Sequence, residues 1–95
     1  MIFEWDIEKA VKNVRKHRVS FEEAKTVFDD PKMRLRYDEE HSQVEDRYIA
    51  VGISKKGHLL LVSHTYLEPE IGAPFERVRI ISARTATPSQ EREYA

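Results

Sequence analysis

The spacing of the apolar residues changes near Met33, from the helical period of the segments before it to an extended period in the segments that follow. Before that point apolar residues recur three and four positions apart, as they do along one face of a helix. After it they alternate with polar residues or form short apolar runs, which is typical of strands. Helices followed by a run of strands predict an α+β domain.

Two helices are predicted in the first third of the chain. Asp6 is a good N-cap for a helix that reaches about His17, and Ser20 with Glu23 forms a capping box for a second helix that ends before Pro31. The predicted inward positions are Ile7, Ala10, Val11 and Val14 in the first helix and Phe21, Ala24, Val27 and Phe28 in the second. The opposite face of the first helix carries Lys9, Lys12, Asn13 and Lys16.

Strand-like segments fill most of the remaining chain. The predicted strands are Ile2 to Trp5, Met33 to Tyr37, Arg47 to Ser54, His58 to Tyr66 and Phe75 to Ala83. The connections are loops over Asp38 to Asp46 and Leu67 to Pro74 and a turn over Ser54 to Gly57, and a short helix runs from Thr87 to Tyr94. Short connections favour an antiparallel sheet of about four to five strands, with the two N-terminal helices on one face and the short helix at the C-terminus.

Length and composition exclude several classes of protein. A chain of 95 residues predicts a single domain over residues 1 to 95, and the lack of cysteine excludes disulfides and cysteine-based zinc sites. No signal-peptide pattern and no apolar run near the ~20 residues of a membrane span are present, so we expect a cytoplasmic protein without membrane contact. The four histidines are scattered and no phosphate-binding glycine loop occurs, which predicts neither a metal site nor a cofactor.

The charge is distributed unevenly although the net charge is only -1. Residues 1–18 and 47–95 each carry two more basic than acidic side chains, whereas residues 19–46 carry five more acidic ones. Basic patches attract polyanions whatever the net charge, so the helix lysines with Arg47, Arg77, Arg79 and Arg84 could line a groove for RNA phosphate. A solvated lysine face, a structural ion pair of Arg79 and a hydrogen-bonded core histidine at position 64 are the alternatives.

Two segments near the chain ends are the most distinctive in the sequence, Phe3-Glu4-Trp5-Asp6 and Arg79-Ile80-Ile81-Ser82-Ala83-Arg84. With Lys9, Asn13, Lys16-His17, Val19 to Ala24, Val27 to Asp29, Arg47, Gly52, Ala86, Glu91 and Tyr94, they resemble the BrnT family over nearly the whole chain. The resemblance implies a fold related to the RelE ribonucleases and a toxin of a type II toxin-antitoxin system. It also implies RNA cleavage without a metal, in which the ribose 2′-hydroxyl attacks the adjacent phosphate.

The resemblance also implies partners and site residues. The partners would be an RNA substrate and a cognate BrnA-type antitoxin with a DNA-binding domain, which forms a hetero-oligomer with the toxin and alone contacts operator DNA. Catalytic contacts are assigned to Lys9, Arg79, Arg84 and His64, and RNA binding to Lys12, Asn13, Lys16, His17, Arg47 and Tyr94. A non-catalytic nucleic-acid-binding module and a pure protein-interaction partner are the alternative functions.

Two features depart from the family pattern. Arg18 stands where a glycine is expected to close the first helix in a left-handed conformation, which predicts a strained residue or a different bend. The loop Leu67 to Pro74 is longer than expected, which affects the edge of the groove and the antitoxin contact.

Overall fold

The computed structural model describes residues 1–73 and 75–95 and has the predicted α+β architecture. Pro74, the last residue of the predicted loop, lies outside the described residues. The strands are β1 (Ile2–Glu4), β2 (Arg34–Tyr37), β3 (Tyr48–Ile53), β4 (Leu59–Leu67) and β5 (Arg77–Thr85). The helices are α1 (Ile7–His17), α2 (Phe21–Ala24) and α3 (Pro88–Tyr94), with 3-10 turns at Lys25–Asp29 and Glu39–His41. No described helix combines the length and the apolar character that crossing a bilayer requires.

The five strands form one sheet in the order β1-β5-β4-β3-β2. Strands β2 to β5 pair antiparallel with their sequence neighbours, as their short connections predict. The first strand departs from the predicted antiparallel sheet, because β1 pairs parallel with β5 and the sheet is mixed. No tight turn joins these two strands, which stand at opposite ends of the sequence, so nothing local determined their relative direction.

The two faces of the sheet carry separate apolar clusters. The larger cluster joins the sheet residues Ala50, Leu60, Val62, Ile80 and Ala83 to Val19, Phe21, Ala24 and Val27. We call this the covered face. The opposite face, here called the open face, carries the smaller cluster Ile49, Val51 and Leu61, against which Leu59 and Tyr94 of α3 pack.

Gly52 of β3 permits the 3-10 turn after α2 to approach the sheet. A Cβ atom built on Gly52 would lie 2.8 Å from Cγ1 of Val27, closer than real Cβ contacts allow. Val27 is fully buried, so any side chain at position 52 would push this turn off the sheet.

Helix α1 is rotated relative to the prediction. The expected inward residues Ile7, Val11 and Val14 are 76%, 46% and 43% exposed, whereas Asn13, expected on the exposed basic face, is buried. The Asn13 side-chain nitrogen donates to the carbonyls of Val19 and Ala83, and its oxygen accepts from the Ala83 N–H. Strand β1 pairs with β5 only as far as Arg79. Beyond that residue the Asn13 side chain forms hydrogen bonds with the β5 backbone that another strand would otherwise form.

Smaller differences concern element boundaries, whereas the end of the first helix follows the expectation. The second helix is α-helical only to Ala24, and the Thr26 hydroxyl bonds back to the Glu23 carbonyl in the following 3-10 turn. The last strand begins two residues later than predicted and ends at Thr85, which pairs with Leu60. Arg18 adopts the expected left-handed conformation (φ 60°), and its N–H closes α1 on the Val14 carbonyl.

Candidate functional site

A polar groove lies on the open face of the sheet. Its polar lining consists of Asp38, His41, Arg47, Ser63, Ser82 and Arg84, above the apolar side chains of Ile49, Leu61 and Ile81. A β-bulge shapes it, since Ser63 pairs with Ser82 and His64 with Ile80, which leaves Ile81 without a partner on β4. Ile81 and Ser82 therefore both face the groove, as bulges beside functional sites often arrange.

Arg47 enters the groove from the residue before β3. Its backbone carbonyl accepts a hydrogen bond from the Asp38 N–H, which fixes the start of the strand. Its guanidinium Nε is buried and has no hydrogen-bond partner among the described residues. Buried N–H groups are nearly always paired, and the donors of an arginine side chain match the geometry of phosphate oxygens. Arg47 can therefore donate to an anionic ligand that binds in this groove.

Arg84 lies in the same groove and is held by the start of α3. Its Nη1 donates to Oε1 of Gln90 at 3.0 Å, and the same oxygen accepts from the Thr87 N–H in a capping box at the start of α3. Partial desolvation and the positive charges of Lys16 and Arg84 lower the pKa of His17 below its usual value. The basic surface thus continues from Arg84 to the end of α1.

Asp38 and His41 form a hydrogen-bonded pair in the groove, and neither was among the predicted site residues. His41 Nδ1 lies 2.8 Å from Asp38 Oδ2, and the carboxylate side chain is 10% exposed whereas the imidazole side chain is 58% exposed. The prediction treated residues 38–46 as a polar loop. The sequence did contain one signal of this pair, the spacing of three residues between Asp38 and His41, because a 3-10 turn brings side chains at this spacing together.

Lys9 and Arg79 meet in a separate depression, at the β1 edge of the sheet. Glu4, Trp5 and Asp6 complete its lining, and Arg79 is exposed. The neighbouring Arg77 donates to both Glu4 carboxylate oxygens, whereas Arg79 forms no ion pair within residues 1–73 and 75–95. The cations predicted to line one groove are therefore divided between two regions.

The structure places two other predicted residues outside the groove. His64 is fully buried on the covered face, with Phe28, Tyr48 and Tyr66 around its ring and Nδ1 3.1 Å from the Val62 carbonyl. Burial lowers the pKa of His64, which favours a neutral core histidine, the alternative reading of this position.

Tyr94 packs against the small apolar cluster of the open face, and its hydroxyl donates to Asp30 Oδ2 at 2.7 Å. That hydrogen bond raises the pKa of Tyr94. Lys12 and Lys16 are exposed on α1, as predicted, while Asn13 is committed to β5.

Comparison with known proteins identifies the family of this chain. Residues 5–90 match the family described as the ribonuclease toxin BrnT of type II toxin-antitoxin systems. A search of curated proteins found no matching relative. The match spans most of the 95 residues and includes every residue of the groove. The chain therefore belongs to the BrnT family of ribonuclease toxins.

Proposed function

We propose that the protein cleaves RNA in the groove on the open face, without a metal ion, through attack of the ribose 2′-hydroxyl on the adjacent phosphate. The observation that carries this proposal is the convergence of Arg47 and Arg84 in one groove, with the buried Nε of Arg47 lacking a partner among the described residues. Fixed cations beside a phosphate stabilise the charge that develops on its oxygens in the transition state.

The exposed lysines of α1 would extend this site along the RNA backbone. Lys16 and Arg84 both act on His17, so the end of α1 adjoins the groove, and Lys9 lies with Arg79 in the separate depression at the β1 edge of the sheet. A strand of RNA crossing from one region to the other would meet cations along its path. A relationship to the RelE ribonucleases belongs to the same proposal.

The toxin activity implies a neutralising partner. We propose a BrnA-type antitoxin that forms a hetero-oligomer with this chain in the cytoplasm and supplies the DNA-binding domain through which the complex reaches operator DNA. An antitoxin segment that occupies the groove would exclude RNA, and acidic side chains in that segment would match Arg47 and Arg84.

Labelled RNA and purified protein in EDTA test the cleavage. We expect products ending in a 2′,3′-cyclic phosphate, a rate reduced about 100-fold in Arg47→Ala, and a similar loss in Arg84→Ala. Arg92 is exposed on α3 and lies outside the groove, so Arg92→Ala is the matched control. This variant should cleave RNA at the wild-type rate. RNA binding without cleavage by the wild-type protein would favour the non-catalytic binding module instead.

A further inference from the structure

Attack by a 2′-hydroxyl requires a group that takes up its proton near neutral pH, and histidine is the side chain suited to this. Three of the four histidines are poorly placed for that role. His64 is fully buried, His58 lies outside the groove, and His17 stands beside two cations. His41 alone combines exposure with a place in the groove that holds Arg47 and Arg84.

The Asp38 carboxylate orients the His41 ring. The 2.8 Å contact engages Nδ1, which leaves Nε2 as the ring nitrogen for a substrate, and Nε2 makes no hydrogen bond within the described residues. A carboxylate on one ring nitrogen holds the proton there and increases the basicity of the other nitrogen. Asp38 is buried and His41 is largely exposed, so the carboxylate holds the ring from inside the protein while the imidazole faces solvent.

Backbone and hydroxyl contacts tie this pair to Arg47. The Asp38 N–H donates to the Arg47 carbonyl at 2.8 Å, the Ser42 hydroxyl donates to the Asp38 carbonyl, and the Arg47 N–H donates back to the Ser42 hydroxyl. These bonds hold the backbone of Asp38 against that of Arg47, so the two ends of the loop that carries His41 are joined at the groove. A base and a phosphate-binding cation held together in this way suit reaction at one phosphodiester.

We propose that His41 is the general base of the RNA cleavage and that Asp38 is its positioning residue. Neutral His41 takes the proton of the 2′-hydroxyl at Nε2 as the 2′-oxygen forms a bond to phosphorus and the bond from phosphorus to the 5′-oxygen breaks. The leaving 5′-oxygen gains a proton from solvent, and His41 returns its proton to solvent. The products are a 2′,3′-cyclic phosphate and a 5′-hydroxyl, and no water is consumed.

A second histidine–carboxylate pair in the chain provides an internal control. His58 Nδ1 lies 2.8 Å from Glu23 Oε2, with the imidazole 59% and the carboxylate 6% exposed, which nearly matches the pair in the groove. Glu23 also accepts a hydrogen bond from the Ser54 hydroxyl, and neither Glu23 nor His58 lines the groove that holds Arg47 and Arg84. This pair tests whether the location of a histidine–carboxylate pair, and not its presence, determines activity.

The experiment compares His41→Ala with His58→Ala on a labelled RNA, and measures binding with an analogue that lacks the 2′-hydroxyl. This inference rests on the proposed function. We expect His41→Ala to cleave at least 100-fold more slowly with unchanged affinity for the analogue, added imidazole to restore part of the rate, and His58→Ala to match the wild type. Wild-type cleavage with an equal rate in His41→Ala would overturn the assignment, whereas a wild-type protein that cleaves nothing would refute the proposed function itself.

Asp38→Asn separates positioning from a merely structural role. The asparagine retains an acceptor for Nδ1 but removes the negative charge, which stabilises the positive charge that the imidazole gains when it takes the 2′-hydroxyl proton. We expect kcat to fall with an unchanged KM and an unchanged melting temperature, and we expect no further loss of rate when Asp38→Asn is combined with His41→Ala. A folded double variant that cleaves more slowly than His41→Ala alone would show that Asp38 does not act through His41.

Discussion

The two faces of the sheet use their polar side chains in different ways. On the covered face, Asn13 and Glu23 are buried and hydrogen-bonded within the protein, and His64 is enclosed by aromatic rings, with its buried Nε2 unpaired among the described residues. On the open face, Arg47 and His41 also keep nitrogen atoms without partners among the described residues, but both side chains line a groove. Asn13 and Glu23 thus stabilise the fold and His64 is closed off by its neighbours, whereas Arg47 and His41 are available to a ligand.

The largest effect that would sharpen this comparison is expected from Asn13→Ala. The substitution leaves the carbonyls of Val19 and Ala83 and the N–H of Ala83 without a side-chain partner in a buried region. We expect the free energy of unfolding to fall by about 3 kcal/mol, since each lost bond to a buried group costs on the order of 1 kcal/mol. Urea unfolding measures this, with Lys12→Ala as the exposed neighbour that should change stability by less than about 0.5 kcal/mol.

Activity provides the other half of the Asn13 test. If Asn13 contacts RNA, Asn13→Ala should lose cleavage under conditions where it remains folded. Full activity per folded molecule is the expected result, and its absence would break the distinction between the two faces.

His64 should make stability depend on pH. Because burial lowers its pKa in the folded protein below the ordinary 6.5, the unfolded chain binds a proton first as the pH falls. The stability from neutral His64 is therefore complete above pH 6.5 and is lost as the pH falls toward the folded pKa, with a slope of at most about 1.4 kcal/mol per pH unit. His64→Phe should remove most of this slope in urea unfolding between pH 7 and 5, and should retain RNA cleavage.

His17 is the control for the His64 experiment, because its pKa is also lowered and it adds to the slope in both proteins. In His17→Gln the larger share of the pH dependence should persist. A slope that vanishes in His17→Gln and survives in His64→Phe would show that His17, and not His64, causes the pH dependence.

The lysines of α1 should affect RNA binding with little change in stability. Replacing Lys9 and Lys16 together by glutamine should weaken binding of an uncleavable RNA analogue, and each lost phosphate contact should flatten the salt dependence by about 0.7 in the logarithmic slope. The double variant Lys55→Gln, Lys56→Gln at the β3–β4 turn is the matched control. Equal slopes in the two double variants would mean that the lysine face is only solvated.

The sequence predicted the elements of the fold better than their mutual orientation. Caps and apolar spacing are local signals, so Asp6, Ser20 and Thr87 mark helix starts correctly. The rotation of α1 depends on a contact between Asn13 and Ala83, 70 residues away, which no periodicity encodes. An asparagine on a helix is normally assigned to the surface, and only the unpaired edge of β5 beside α1 explains why Asn13 is buried.

The candidate site was predicted only in part, for the same reason. Arginines at strand positions indicated a basic groove, and two of them, Arg47 and Arg84, do share one. The Asp38–His41 pair was missed because it lies in a polar loop, where spacing carries little information about side-chain direction. His64 was selected for its chemistry, yet its position on β4 buries its ring on the covered face against Phe28.

The smallest expected effect concerns the apolar stripe of α1. Val11 is 46% exposed, so Val11→Ser removes little apolar surface from contact with the protein. It should change the free energy of unfolding by less than about 0.5 kcal/mol. The same substitution at Val27, which is fully buried against Gly52, creates a cavity and buries a hydroxyl, and should cost about 3 kcal/mol. Urea unfolding of the two variants at low protein concentration makes the comparison. A loss above about 1 kcal/mol in Val11→Ser would mean that this stripe is covered in solution, and the orientation of α1 on the sheet would have to be revised.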